Sequence, residues 1–411
     1  MSNPLTNENL SRRDFVKQAG AVTAGLASFG IAKGYIERVL KVGLVGCGGR
    51  GVGAAVNNLE AQDTTIWSVG DIFPDQAAKA AKRFEIPEER TFSGWDSYIK
   101  VLDSGIDVVI LATPPHFRAE HFEAAVERGI HCFIEKPVAV DPVGIRRMLK
   151  AGEVAKEKGL AVVAGTQRRH QISYQECQQR IADGAIGRIV HARANWWQGD
   201  LWRRGRKAEW SDMEFQIRNW LYFSWLSGDH IVEQHVHNID IINWFMGSHP
   251  VRCFGMGGRT IRTDIGNIYD HFTITYEYPN GAQMVSQSGQ CTKGWGDVSE
   301  FLIGEDGTCN ANGEINGVNQ WKFQGAGLNA YLQEHIDLIE AVRLSDEEEP
   351  LNETQNVSYS VLTAIMGRQA AYTGKMVTWN EIMNSNLRLG PTKYEWGPVP
   401  VDPVPVPESP A

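Results

Sequence analysis

From residue 39 onward the hydrophobic pattern switches repeatedly between two periods. The run VLKVGLVGCG (39–48) is continuously apolar and ends in glycines, which reads as a buried strand entering a tight turn. A helical stretch follows to about Glu60, and TTIWSVGD forms a second strand that ends at Asp71. The pattern then predicts a helix from Pro74, a strand over 107–113 and a helix over 115–129. It continues with the strand HCFIEKP, a helix from Asp141 and the strand LAVVAGTQ. Short strands separated by helices predict an α/β fold with a parallel, doubly wound sheet. Farther on, RIVHARANWW (188–197), HFTITYEYPNGAQMVSQSG (271–289) and VSEFLIG (298–304) read as strands. Pro279-Asn280-Gly281 reads as a hairpin turn within the second of them.

Composition adds limits to this picture. A chain of 411 residues exceeds one ordinary core and predicts two domains with appendages. With 42% hydrophobic and 22% charged residues it has the composition of a soluble globular protein. A net charge of −9 argues against nucleic acid or an anionic membrane as partner, since both need a basic face. The six cysteines are scattered and contain no C-x-x-C pair, so reduced, buried thiols are expected rather than disulfides or a metal cluster.

The first 35 residues need a separate reading. SRRDFVKQAG places Arg12 and Arg13 ahead of a run from Ala19 to Ala32 that is rich in Ala and Gly. The run is too short and too weakly apolar for a permanent membrane helix. The segment resembles a twin-arginine export signal, which implies passage through the twin-arginine translocon after folding and a periplasmic or otherwise exported location. Gly30-Ile31-Ala32 is the best match to a cleavage site, and an uncleaved signal would anchor the chain to the membrane. The division expected is a signal (1–35), a dinucleotide-binding domain (36–170), a substrate and oligomerisation domain (171–390) and a Pro-rich tail (391–411).

The turn after the first strand carries the chemistry. Gly46-Cys47-Gly48-Gly49-Arg50-Gly51 satisfies G-x-G-x-x-G between a strand and a helix, and Asp71 ends the next strand twenty residues later. Gly46 makes the tight turn, Gly48 lets the backbone approach a pyrophosphate, and Gly51 permits close helix–strand packing. Gly49 and Arg50 complete the loop, and Asp71 would hold a ribose hydroxyl, favouring NAD over NADP. Strand ends point into the crevice of such a sheet, so Thr113, Pro114, His116, Glu135, Lys136 and Gln167 are expected to line it.

With GCGGRG, ATPPHFRAEH after the fourth strand and Glu135-Lys136-Pro137 in view, residues 39–380 resemble the glucose–fructose oxidoreductase and inositol dehydrogenase (Gfo/Idh/MocA) family. The resemblance implies an N-terminal Rossmann domain and a C-terminal α/β domain whose large, mostly antiparallel sheet serves in dimers or tetramers. It also implies catalysis by the lysine of E-K-P together with a later acid and histidine spaced D-x-x-x-H. Lys136 matches the first. Glu233 falls where the family commonly has Asp, His237 falls on the catalytic histidine, and His235 replaces a usual glycine.

In that reading His237 takes the hydroxyl proton, Lys136 hydrogen-bonds the reacting oxygen and Glu233 orients the histidine. Read as one helix, His230, Glu233 and His237 would share a face and make a weak set of ligands for a divalent metal. Hydrogen bonding to substrate and to one another is preferred, and no metal is assigned. Arg169, Tyr174, Trp197 and His235 are expected to bind substrate. Six tryptophans between Asn195 and Trp225, interleaved with Arg203, Arg204 and Arg206, suggest stacking against sugar rings, with about half of the rings assigned to core or interface.

The expected function is an exported NAD-dependent oxidoreductase acting on a hydroxyl of a sugar or glycoside with tightly bound cofactor. The alternative is a redox-neutral glycoside hydrolase or lyase that uses NAD transiently. A non-catalytic sugar-binding protein is the remaining reading.

Overall fold

The structure, a computed structural model, describes residues 38–290, 294–345 and 349–407. The expected export signal and Cys291 lie outside the described residues. Six parallel strands form the first sheet: β1 (Leu40–Val45), β2 (Thr64–Asp71), β3 (Thr91–Ser93), β4 (Val108–Leu111), β5 (His131–Ile134) and β6 (Val162–Ala164). Their spatial order is β3-β2-β1-β4-β5-β6, so the winding direction reverses between β1 and β4. A crevice opens at the carboxyl ends of strands at such a reversal. The central strands are apolar along their length because helices cover both faces: Val108, Val109, Ile110 and Leu111 are all fully buried.

Nine strands form the second sheet. They are β7 (Ile189–Gln198), β8 (Arg252–Gly258), β9 (His271–Glu277), β10 (Gln283–Gln290), β11 (Asp297–Gly304), β12 (Gly307–Cys309), β13 (Glu314–Gly317), β14 (Trp321–Lys322) and β15 (Val377–Thr378). The order is β14-β13-β12-β11-β7-β10-β9-β8-β15, antiparallel except where β10 runs parallel to β7. Alternation sorts its faces. Ala192, Ala194, Ile274, Met284 and Leu302 are buried, whereas Phe254 and Met256 stand exposed on the opposite face.

The helix Thr354–Thr373 packs against both β8 and the helix Pro142–Glu157 of the first domain, which joins the two units. The tail packs on its own chain. Trp396 stacks on Phe73 with centroids 5.8 Å apart, and the carbonyl of Pro405 accepts from the Tyr269 hydroxyl at 2.8 Å. Cys47, Cys132, Cys177, Cys253 and Cys309 are free, buried thiols.

Candidate active site

The glycine turn builds a crevice of about 420 Å³ between β1 and β4. Gly46 has φ +94°, and a Cβ there would lie 2.6 Å from the Ala112 carbonyl carbon, so the turn requires glycine. A Cβ on Gly51 would sit 1.9 Å from the Gly46 oxygen, whereas at Gly48 and Gly49 it would meet nothing within 4 Å. The backbone is therefore bare on the crevice side. The helix Gly49–Glu60 starts there without a side-chain cap, leaving its first N–H groups for an anionic ligand. Gly46, Gly48, Gly49, Arg50, Gly51, Asp71, Thr113 and Pro114 all line this space. Open glycines, free helical N–H groups and a carboxylate at the end of β2 fit a dinucleotide.

Asp71 also serves the turn itself. Its Oδ2 accepts from the Cys47 N–H at 2.7 Å and its Oδ1 from the Phe73 N–H at 2.9 Å. Burial raises its pKa, and those two N–H groups oppose the shift.

At the end of β5, Glu135 and Lys136 diverge. The Glu135 carboxylate pairs with Arg50, which reaches Glu334 Oε1 at 2.8 Å on its other side. The buried guanidinium of Arg118 donates to the carbonyls of Thr113, Glu135 and Pro137, each at 2.8 Å, and so fixes the backbone on both sides of Lys136. The Lys136–Pro137 peptide is cis. Lys136 crosses toward the second domain, where its Nζ donates to the main-chain oxygen of Glu233 at 2.5 Å and to Glu233 Oε1 at 3.3 Å.

That contact changes the segment expected to be one helix. A continuous helix would give the Glu233 carbonyl to the N–H of His237. Here Lys136 takes it, the His237 N–H turns to the Gln234 carbonyl at 3.3 Å, and the helices His230–Glu233 and Val236–Met246 are separate. The shared face expected of His230, Glu233 and His237 does not form. Among the described residues no group of three His, Cys, Asp or Glu side chains is arranged to hold a metal ion.

His237 is buried and stacks on Trp196 at 5.6 Å. Its pKa lies well below the ordinary imidazole range, mainly through burial and then through the charges of Lys136, Arg168 and Arg50. The imidazole is thus neutral and ready to accept a proton.

Several expected residues lie elsewhere. Arg169 makes a bidentate pair with Asp240, both contacts at 2.8 Å, and Tyr174 donates to buried Glu300 at 3.2 Å, so the polar groups of both are already engaged by carboxylates of the chain. His235 meets the Ser286 hydroxyl at 2.7 Å under the sheet. Trp197 follows Trp196 on the same strand and must point to the opposite face, where its ring abuts Gly289. His116 turns to the Tyr394 hydroxyl at 2.7 Å, and Gln167 to that of Tyr331 at 3.1 Å, away from the crevice wall. Glu135 and Lys136 also lie outside that wall, toward the second domain.

Other residues occupy the site without having been singled out. Arg168, one position before Arg169, pairs with Glu300 and lies 5.7 Å from the Trp196 ring centroid. Asn238 donates to Glu300 Oε1 at 2.6 Å. Arg118 sits in ATPPHFRAEH, but a side chain that binds carbonyls of the same fold leaves no trace in hydrophobic periodicity.

Comparison with known proteins identifies both domains. Residues 40–166 match the model described as "Oxidoreductase family, NAD-binding Rossmann fold", and residues 174–310 match the "GFO/IDH/MocA C-terminal domain". The chain is 28% identical over 180 residues to the 2,7-anhydro-N-acetylneuraminate hydratase of Escherichia coli (strain K12), covering 43% of this chain and 44% of the relative. It is 25% identical over 245 residues to the scyllo-inositol 2-dehydrogenase (NAD(+)) of Bacillus subtilis (strain 168), covering 58% of this chain and 64% of the relative. The chain thus spans less than two thirds of either curated relative. The fold is shared with the crystal structure of aldose-aldose oxidoreductase from Caulobacter crescentus, with TM-score 0.67 and 17% identity, covering 83% of this chain and 100% of that one. The two matched segments run in order over more than half of the sequence, and the chain belongs to the Gfo/Idh/MocA family of oxidoreductases.

Proposed function

We propose that this protein oxidises a secondary hydroxyl of a sugar or glycoside with NAD that stays bound through turnover, in an exported location. The observation that carries the reading is the meeting of Lys136, from the dinucleotide domain, with Glu233 and neutral His237 from the second domain. When bound, the nicotinamide ring accepts a hydride from the carbinol carbon. The remaining work belongs to the chain. An ammonium has three donors, and Lys136 directs two at Glu233, which leaves one for the substrate oxygen. The His237 imidazole takes the hydroxyl proton, so hydride and proton leave to separate acceptors. Trp196 backs the imidazole and offers an aromatic face to the C–H side of a ring.

Export rests on the Arg12-Arg13 segment, and preference for NAD over NADP rests on Asp71 at the ribose position. A redox-neutral reaction is the second reading, favoured by one observation. Glu233 Oε2 is buried without a hydrogen-bond partner, so a second base stands beside the first. The hydratase among the relatives agrees with it. Denaturing the protein purified from the exported fraction, assaying the released nucleotide and analysing products from a panel of sugars and glycosides tests both. A ketosugar with reduced nucleotide, or with a coupled reduced product, supports the first reading. Cleavage without net reduction supports the second, and no nucleotide with no rescue by added NAD refutes both.

A further inference from the structure

The crevice wall is not made by the Rossmann domain alone. Trp202, Arg204, Ile217, Arg218 and Trp220, all from the second domain, face Asp71, Phe73 and Trp95 across it. Interleaved tryptophans and arginines suggest a sugar platform in the sequence, yet the chain carries these to the wall of the crevice that Asp71 also lines.

They are held there by structure rather than by chance packing. Buried Asn219 accepts from the Arg204 N–H at 2.8 Å and returns its amide to the Arg204 carbonyl at 3.1 Å. The Tyr222 hydroxyl donates to the Leu201 carbonyl at 2.9 Å, and the Trp202 and Trp220 rings lie 6.2 Å apart. Arg218 crosses to the first domain, 3.1 Å from Asp75 and with its guanidinium 3.8 Å from the Phe73 ring centroid. The tail closes the joint. Trp396 lies 5.0 Å from Trp95, and the Gly397 and Val399 carbonyls accept from Met213 and Gln216 of the helix Asp212–Arg218 at 3.1 and 2.8 Å.

Charge singles out one residue of this segment. Arg203 pairs with Asp200 and Asp264, Arg206 with Asp212, and Arg218 with Glu214 and Asp75. Among the described residues the Arg204 guanidinium makes no ion pair; it lies 5.5 Å from the Trp202 ring centroid and lines the crevice. A cation without a carboxylate, lining the same cavity as uncapped helical N–H groups, suits a phosphate.

We infer that Trp202, Arg204 and Trp220 complete the dinucleotide site: Arg204 meets a phosphate of the dinucleotide, and the two rings cover its adenosine half. This rests on the nicotinamide reading above and extends it, because a cover bolted to both domains makes the dinucleotide a resident group rather than an exchanging co-substrate. Trp202 is 45% exposed and Arg204 lies at the surface, so both tolerate substitution without loss of the fold.

The test is the release rate of reduced dinucleotide from loaded protein, followed by loss of its fluorescence on dilution into a competing enzyme trap. Trp202→Ala and Arg204→Ala should each release it at least tenfold faster than the parent. Arg204→Lys should recover most of the retention, and Arg204→Ala should weaken the acceleration of release by salt. Arg203→Ala, which loses the ion pairs with Asp200 and Asp264 and a ring contact with Tyr222 but no group of the crevice wall, serves as control and should release at the parent rate. Parent-like release from Trp202→Ala and Arg204→Ala overturns the inference while leaving the cofactor reading intact. Equal acceleration in Arg203→Ala also overturns it, as general loosening of the loop. A parent protein that binds no dinucleotide, judged by the absence of a thermal shift with added NAD or NADP, overturns the inference together with the cofactor reading.

Discussion

Lys136 Nζ lies 2.5 Å from the main-chain oxygen of Glu233, the acceptor that an unbroken helix would assign to the N–H of His237. One ammonium thereby does two things. It divides the helix so that His237 faces Trp196, and it places a positive charge beside the imidazole that receives the proton.

Replacing Lys136 should therefore damage chemistry rather than folding. Lys136→Ala is expected to lower turnover on the order of a hundredfold or more while nucleotide content stays that of the parent. Steady-state rates on the natural substrate, with bound nucleotide assayed on the same preparation, check this. Parent-like turnover would remove Lys136 from the mechanism.

The pH profile reports on His237. Its pKa is depressed, so the neutral, proton-accepting form persists on acidification past the ordinary imidazole value. The acid limb of kcat/KM should consequently fall below pH ~6.5. Lys136→Met removes one of the charges that depress the imidazole and should move that limb upward in its residual activity. His237→Ala should lose turnover about a hundredfold and lose the limb. A parent profile with an ordinary imidazole limb, unmoved in Lys136→Met, would count against His237 as the base.

Folding stability should have its own pH dependence. Burial pushes His116 down to about 4, and His121, His230, His235 and His335 to about 3. For a depressed pKa, the stabilisation present above the unfolded value of about 6.5 is lost as pH falls toward the folded value. At pH 5 each contributes a loss of at most about 2 kcal/mol. His170, between Asp337 and Glu353, is raised to about 10, so its contribution is full below pH ~6.5 and fades as pH rises through the folded value. Urea midpoints should peak near neutrality and fall steeply by pH 5. A midpoint unchanged between pH 7 and 5 would contradict the burial of these rings.

What the sequence discloses here follows physical rules that act locally. A glycine turn between two strands predicts the crevice, because one of its constraints acts within the turn itself, Gly51 against Gly46, whereas the contact of Gly46 with Ala112 follows once β4 pairs with β1. Lys136 and His237 are visible through their motifs. The break before Val236 is not, since it depends on a lysine 97 positions before Glu233 in the chain. Likewise Arg168 and Arg169 are alike in composition, and only Glu300 and Asp240, brought in by other elements, decide which of them faces the site. Trp196 and Trp197 differ by strand parity alone, which is readable only when the register of β7 is known. Trp202 and Trp220 reach the crevice through contacts between the domains, which no periodicity within the segment encodes.

Asp71 sets cofactor choice in this arrangement. A 2′-phosphate beside the carboxylate would be repelled, while Arg204 and Arg218 line the same space. Asp71→Asn keeps an acceptor for the Cys47 or Phe73 N–H and removes the charge. The ratio of NAD to NADP affinity should drop about tenfold, corresponding to about 1.4 kcal/mol. Titration of nucleotide-free protein with each dinucleotide measures it, and an unchanged ratio would mean that selection lies elsewhere.

Glu233 decides between hydride transfer alone and a redox-neutral cycle. Its Oε1 faces Lys136, and its Oε2 is buried without a partner, so one carboxylate oxygen is held while the other is available as a base. Resemblance to the family makes Asp the common residue at this position, and an enzyme that only transfers hydride should tolerate Glu233→Asp. Abstraction of a carbon-bound proton is less forgiving. Shortening the side chain by one methylene withdraws the carboxylate by about an ångström, a misplacement that costs on the order of a hundredfold. Exchange of a substrate C–H for solvent deuterium reports that half-reaction by itself. Exchange in the parent that is lost in Glu233→Asp, with reduction of the nicotinamide retained in both, is the outcome expected of the redox-neutral cycle. If the parent exchanges no carbon-bound hydrogen while turning over its natural substrate, the unpartnered oxygen has no carbon acid to act on. Lys136 and His237 then suffice for an ordinary sugar dehydrogenase.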